Sequence, residues 1–289
     1  MNGEAHKARV CYVVSNDLVK ASSLLPSNKN RSLLVHSLVK QLGLLSPGWS
    51  DKALLTSVAP TPAHDRDLTV YHDADYLDFI FKPRNRYESS EDSSRSEFGI
   101  EEDCPSFKGL TDYVRLVAGA SLSDETTGRK PRIMYLDLDL HFSDGVSQAF
   151  VSSSSGNAHP QILVLSVHHA APGFFPASPL AALSDPLDPF FDPFTLSLPL
   201  ARGASDATFS SVWRSIETIK EAFSPDYVVI QCGVDGLAGD PCGVWNWSLG
   251  ASDGSLGWYI NRICRDWNCK TLFLGGGESL FNLGDSSWY

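Results

Sequence analysis

An α/β fold of three layers, a mostly parallel sheet with helices over both faces, is what this sequence predicts, on three observations. Short runs that are apolar at nearly every position recur along the chain, as in "VCYVV" (10–14), "RIMYLDLDL" (132–140), "QILVLSV" (161–167), "DYVVIQCG" (226–233) and "KTLFLGGG" (270–277). Continuous runs of this kind, rather than apolar–polar alternation, belong to strands covered on both sides. Segments with helical periodicity alternate with them, which is the order of a parallel sheet built from crossover units. The last two runs end in Gly, where a strand gives way to a tight turn.

Taken in order, "VCYVV" is a β-branched first strand. "RSLLVHSLVKQLGLL" (31–45) places apolar residues at 34, 35, 38, 39 and 42, a helical stripe, with Gly43 near its end as the C-cap. "DADYLDFIF" (73–81) predicts a short helix, "RYESSEDSSRSEFGIEED" (86–103) a polar surface loop, and "FKGLTDYVRLVAGASL" (107–122) a helix. "SDETTGRKP" (123–131) is a polar linker into the strand at 132–140. After the strand at 161–167, "AAPGFFPASPLAALSDPLDPFFDP" (170–193) is too rich in Pro for a regular element and is an ordered loop. Helices at 207–223 and 254–267 alternate with the strands at 226–233 and 270–277. No internal repeat or second domain is visible, so one domain is expected over 1–289.

The 289 residues, 43% of them hydrophobic, supply a sizeable core. A formal net charge of −11 argues against direct, sequence-independent nucleic-acid binding and fits solubility or a Lys-rich partner. Six Cys (11, 104, 232, 242, 264, 269) form no C-x-x-C pair, which suits the reduced thiols of an intracellular protein. The first residues lack the apolar core of a signal peptide, and no run approaches the roughly eighteen apolar residues of a membrane span.

In "YLDLDLHFSDGV" (135–146), Asp137, Asp139 and His141 stand two apart, with Leu136, Leu138 and Leu140 between them. Positions i, i+2 and i+4 of a strand share a face. They lie at the strand's C-terminal end, where open α/β sheets place ligands. "VVIQCGVDGLAGDP" delivers Asp235 to the same rim. Asp139, His141 and Asp235 together, two carboxylates and an imidazole with room for a fourth partner, describe a catalytic zinc site better than a structural one. The bland alternative is that such acids cap helix N-termini, and for Asp144 and Asp240 it is the preferred one.

"YLDLDLHFSDGVSQAF", "VLSVHHAAPGFFP", "VVIQCGVDGLAGDP" and "LFLGGG", with "RSLLVHSL", "VYHDADYLDFI" and "EEDCPSFKGLTDYV" before them, resemble in this order the class I zinc-dependent histone deacetylases. The resemblance covers most of the chain. It implies the arginase/deacetylase fold and zinc-assisted hydrolysis of acetyl-lysine in histone tails or other proteins. It further implies a role in transcriptional repression with corepressor subunits, and a place in the nucleus and also the cytoplasm. By position, Asp139, His141 and Asp235 match the zinc ligands. Asp137, Ser166 and Val167, beside Asp139 and His141, match an inner potassium site. Phe175 matches a wall of the acetyl-lysine tunnel, Asp103 the rim acid that holds substrate backbone, and Arg31 an internal channel. Asp137 and Asp144 match acids that orient a proton-handling His pair.

The departures are as specific. The family's His pair and its strand–helix unit fall between the 107–122 helix and the 132–140 strand, where this chain has only the short linker; a loss near 122–132 is expected, with a gap in the sheet or a rearranged neighbour beside that strand. Phe142 replaces a His of the motif, and Ser279 stands where the family has its oxyanion-stabilising Tyr. His168 and His169 are an adjacent pair, but His168 matches a position just after a different strand and is not expected to substitute. The family continues beyond the point matching Tyr289. A non-catalytic metal-binding or scaffold relative, or a spliced fragment, is therefore the alternative to an active deacetylase.

Overall fold

The structure, a computed structural model, describes residues 8–26, 29–46, 53–81, 98, 100, 105–122, 131–151 and 162–276. Asp103, Ser279 and the linker at 123–130 lie outside these residues. The chain divides into two compact units, Met1–Glu125 and Thr126–Tyr289.

In the first unit β1 (Ala8–Val13) is followed by α1 (Asn16–Ser22), α2 (Arg31–Gln41), β2 (Ala53–Val58), α3 (Asp65–Leu68), α4 (Ala74–Phe81) and α5 (Leu110–Leu122). β1 and β2 form a parallel pair with Val10 opposite Leu55. Ser15 caps α1 by accepting the Leu18 N–H at 3.0 Å, and Leu18 and Ala21 pack on Leu116 of α5. Gly43 follows α2 with φ +71°, the left-handed position expected of it. The α2 stripe does not do what its periodicity suggests: no residue of the helix is buried, and Leu34 and Leu38 are exposed.

The second unit holds the sheet. Its elements are β3 (Ile133–Asp137), α6 (Asp144–Phe150), β4 (Ile162–His169), a 3-10 turn at Pro179–Ala181, β5 (Thr195–Leu200), α7 (Asp206–Phe223), β6 (Tyr227–Gly233), α8 (Leu256–Asp266) and β7 (Lys270–Gly276). All five strands are parallel, in the order β5-β4-β3-β6-β7. Neighbouring residues of one strand, such as Val164 and Leu165, point to opposite faces, and both are wholly buried. Both faces are therefore covered, as the unbroken apolar runs require. Helix α7 opens with a capping box between Ser205 and Thr208. It is locked by aromatic packing: the Phe209 ring stacks on Trp247 at 4.0 Å, and the Tyr259 hydroxyl donates to Phe209 O at 2.6 Å. Burying a side chain such as Phe209 completely contributes roughly 1.5–3 kcal/mol.

Several expectations are corrected. The strand expected at 132–140 keeps its ladder only through Asp137. Beyond it, aspartate side chains compete for the backbone: Asp137 Oδ1 accepts the Asp139 N–H and Asp139 Oδ1 accepts the His141 N–H, each at 2.9 Å. Of the two outcomes expected beside this strand, the gap is excluded, because β3 is central, paired with β4 on one side and β6 on the other. β4 runs two residues past its expected end, so His168 and His169 lie within it rather than after it. Strands β2 and β5 and helices α1, α3 and α6 were not expected. "TLSLPL" (195–200) of β5 lies just past the expected Pro-rich loop (170–193), in a stretch assigned to no element, and becomes a strand because β4 supplies its partner.

Candidate metal centre

The backbone just past β3 is threaded between two neighbours. Leu138 N–H donates to Gln231 O of β6 at 3.0 Å, and Leu140 O accepts the His169 N–H of β4 at 2.8 Å. Leu136, Leu138 and Leu140 are wholly buried, so the apolar half of the alternation holds the segment down. The other half, Asp137, Asp139 and His141, is left at the C-terminal end of the sheet. Asp235 arrives on the turn after β6, and its Oδ1 accepts the Leu140 N–H at 3.1 Å.

Asp139, His141 and Asp235 converge: each offers a ligand atom within 4.8 Å of the others. His141 Nδ1 stands 2.8 Å from Asp235 Oδ2 and 3.3 Å from Asp139 Oδ1. The close approach depends on Gly233, where a Cβ would lie 2.7 Å from the Asp139 Cα. Hydrogen bonds from the imidazole to Asp139 and then to Asp235 raise the His141 pKa to about 9, against an opposing effect of burial. Burial pushes the Asp235 carboxyl up, but its bonds to His141 and to Leu140 N–H outweigh this and hold it below the ordinary range. The two carboxylates thus favour positive charge at one point. Ligand atoms of a tetrahedral zinc, at about 2.0–2.2 Å from the ion, stand roughly 3.3–3.6 Å apart. The donor set, two carboxylate oxygens and one imidazole nitrogen, suits that ion; the His141–Asp139 separation of 3.3 Å matches it, and the 2.8 Å between His141 and Asp235 is a hydrogen-bond distance that would widen by about half an ångström around the ion.

Asp137 sits behind the triad. Its side chain is buried, its Oδ2 accepts the Tyr135 hydroxyl at 3.1 Å, and burial pushes its carboxyl up to about 7. Ser166, opposite Asp137 in the β3–β4 register, and Val167 are wholly buried beside it. Phe175 lies near the triad, its ring 6.5 Å from that of His141, but is largely exposed. Phe174, which sequence reasoning passed over, is closer and stacks face to face on His141 at 5.2 Å. The "GFF" run supplies both rings, and only their packing shows which one stacks on the imidazole.

The other predicted residues are elsewhere or otherwise engaged. Both nitrogens of the His168 ring are occupied: Nδ1 accepts from the Ser166 hydroxyl at 2.9 Å and Nε2 donates to Ala181 O at 3.0 Å. His169 Nδ1 donates to Leu200 O at 2.8 Å, and its ring packs on Phe174. Phe142 is buried against the His168 ring. Asp144 is the first residue of α6 and accepts the N–H of Gly145, which agrees with a helix-terminal role. Asp240 accepts the Cys242 N–H, so it closes a turn rather than capping a helix. Arg31 is exposed at the head of α2, in the first unit.

Comparison with known proteins gives the same direction. A family model described as "Histone deacetylase domain" matches residues 123–288. Histone deacetylase 8 of Danio rerio is 27% identical over 323 aligned positions, covering 96% of this chain and 79% of that protein. Histone deacetylase 2 of Oryza sativa subsp. japonica is 27% identical over 322 positions, 95% of this chain and 59% of that protein. Histone deacetylase B of Dictyostelium discoideum is 26% identical, with 94% and 70% covered. The alignments of 323 and 322 positions are longer than the chain's 289 residues, so these relatives carry stretches that this chain lacks.

Proposed function

This chain belongs to the histone deacetylase family, and from that membership we propose that it acts on acetylated lysine side chains of proteins, histone tails foremost, hydrolysing them to lysine and acetate with zinc. The observation that carries the proposal is the convergence of Asp139, His141 and Asp235. Their carboxylates and the His141 Nδ1 would hold the ion. Zinc bound there supplies Lewis-acid polarisation of the acetyl carbonyl and of the attacking water. Asp137 orients Asp139 through its N–H, Asp235 pins the backbone at Leu140, and Phe174 shields the imidazole from water on one face. We assign potassium, if bound, to Asp137, Ser166 and the backbone of Val167. A corepressor complex in the nucleus is the setting this function implies. Among the described residues, no helix is long and apolar enough to cross a membrane.

A second reading, a metal-binding relative that does not turn over, is favoured by the engagement of both His168 nitrogens and of His169 Nδ1. With the family's His pair absent from the sequence and Ser279 at its Tyr position, general base and oxyanion donor are both lacking. Each loss costs about 10²–10⁴ in rate, and members of one catalytic unit are not additive. One experiment separates the readings: zinc titration of the purified chain, followed by hydrolysis of an acetyl-lysine peptide by this chain, by Asp235→Ala, and by a version carrying a family His-His segment after Ser123. Zinc binding with hydrolysis only in the version with the insert establishes the second reading. Hydrolysis by the unmodified chain that disappears in Asp235→Ala establishes the first. Failure to bind zinc removes both. The transcript around Ser123 to Arg132 shows whether such a segment was spliced out.

A further inference from the structure

The loop between β4 and β5 contains one short unit three times: Asp185-Pro186-Leu187, Asp188-Pro189-Phe190 and Asp192-Pro193-Phe194. The three fold alike. In each, an Asp Oδ1 accepts the N–H of the apolar residue two positions on, at 2.8–2.9 Å. In each, the Asp carbonyl accepts the N–H three positions on, from Asp188, Phe191 and Thr195. Pro in the second place presets the turn, so the third side chain is aimed by a stiff backbone rather than a wandering one.

The third copy shows what such a turn is good for. Phe194 is tucked into the protein's own core, 6.2 Å from the Phe223 ring. The first two copies aim the same kind of side chain at solvent: Leu187 is 90% exposed and Phe190 93%. The segment between is tied down at both ends. Ser184 Oγ accepts the Ser197 N–H of β5 at 2.9 Å, and the Thr195 hydroxyl donates to Asp192 at 3.0 Å. Two large apolar groups held rigidly in water, a few residues apart, are the arrangement of docking anchors: little conformational freedom remains to be lost when they are covered.

Charge says what covers them. From Ala170 to Phe194 the loop has no Lys or Arg and three Asp, of which Asp185 and Asp188 flank the two anchors. An apolar surface rimmed with Lys or Arg is complementary to this loop; an acidic one is repelled. The loop's C-terminal end is set back from the metal end. Thr195 lies level with Val164 and hence with Tyr135, four residues below Asp139 along the strand and two strands across, on the order of 15 Å away.

We propose that Asp185–Phe191 is an exosite that docks the body of a basic protein, with Leu187 and Phe190 as its anchors. The choice of core histones as that protein rests on the function proposed above. The probe is therefore the unacetylated histone H3–H4 tetramer, which offers nothing to the metal centre, titrated against the full chain. Leu187→Ser with Phe190→Ser leaves the net charge unchanged and weakens binding about tenfold or more. Asp185→Asn with Asp188→Asn keeps an oxygen to accept each turn N–H, weakens binding and flattens its dependence on salt. Excess acetyl-lysine peptide does not displace the tetramer. All four positions are exposed, and equal thermal melts confirm that the variants fold. Tetramer binding that is absent, or equal in the wild type and the Leu187/Phe190 variant, overturns the proposal, as does displacement by the peptide. Zinc titration of the same samples reports on the metal centre separately.

Discussion

Asp235 does two things at once, and two substitutions pull them apart. Its side chain is 1% exposed; one oxygen accepts the buried Leu140 N–H and the other faces His141 Nδ1 at 2.8 Å. Asp235→Ala leaves that N–H without a partner in a buried place, which costs about 1–3 kcal/mol. In a unit of this size each kcal/mol lowers the melting temperature by about 2–4 °C. Asp235→Asn keeps an amide oxygen in the same position. It keeps the acceptor for the buried N–H and loses only the charge on the bond to His141, so it is destabilised less than Asp235→Ala. For zinc the two variants converge, because both remove an anionic ligand. Even groups one step behind a ligand are worth about 10–100-fold in affinity, so each variant weakens zinc by more than about 100-fold. Urea unfolding in a chelator and zinc competition against a chromogenic chelator measure the two quantities. Equal urea midpoints for Ala and Asn would refute the role given to Leu140, and wild-type zinc affinity in either variant would refute the role given to Asp235.

Three further outcomes are expected. Gly233→Ala forces a Cβ to within 2.7 Å of the Asp139 Cα, main chain that cannot swing aside, so it should cost about 1–3 kcal/mol and weaken zinc at least about tenfold; a variant with unchanged melt and zinc affinity would show that the approach is not tight. Burial, with Asp137 nearby, pushes the Cys232 thiol up to about 12, so roughly one molecule in 10⁴ carries a thiolate there at pH 8; mass spectrometry should find Cys232 unmodified by iodoacetamide in the folded chain and modified in urea. Burial raises the Asp206 carboxyl, but hydrogen bonds from Ser252 and Ser248 outweigh it and hold it below the ordinary range, so its stabilisation is present above the unfolded value, about 3.9, and is lost as pH falls through the folded one. Asp206→Asn should therefore differ from the wild type in urea midpoint at pH 7 and approach it near pH 3; a constant difference across that range would count against the linkage.

What the sequence determined by itself was local. Strands β3, β4 and β6 and helices α7 and α8 were legible because an unbroken apolar run or a 3.6-residue stripe reports burial without reference to anything distant; the run of β7 marked a strand too, although at the sheet's edge none of its residues is buried. The triad was legible for a related reason. Period-two spacing sorts Leu136, Leu138 and Leu140 from Asp137, Asp139 and His141, and that sorting survives although the ladder stops at Asp137. Matters of pairing were decided by the tertiary structure. β5 is a strand because β4 offers its backbone, and β3 is central because β6 comes to lie beside it, two facts that no window of residues contains. Likewise the choice of Phe174 over Phe175 as the ring on His141, and the engagement of His168 and His169, depend on where Ala181 and Leu200 fall in space. A side chain's type is written in one position, but its availability is set by neighbours many residues away. Chemistry could therefore be named in advance, whereas which groups remained free to perform it could not.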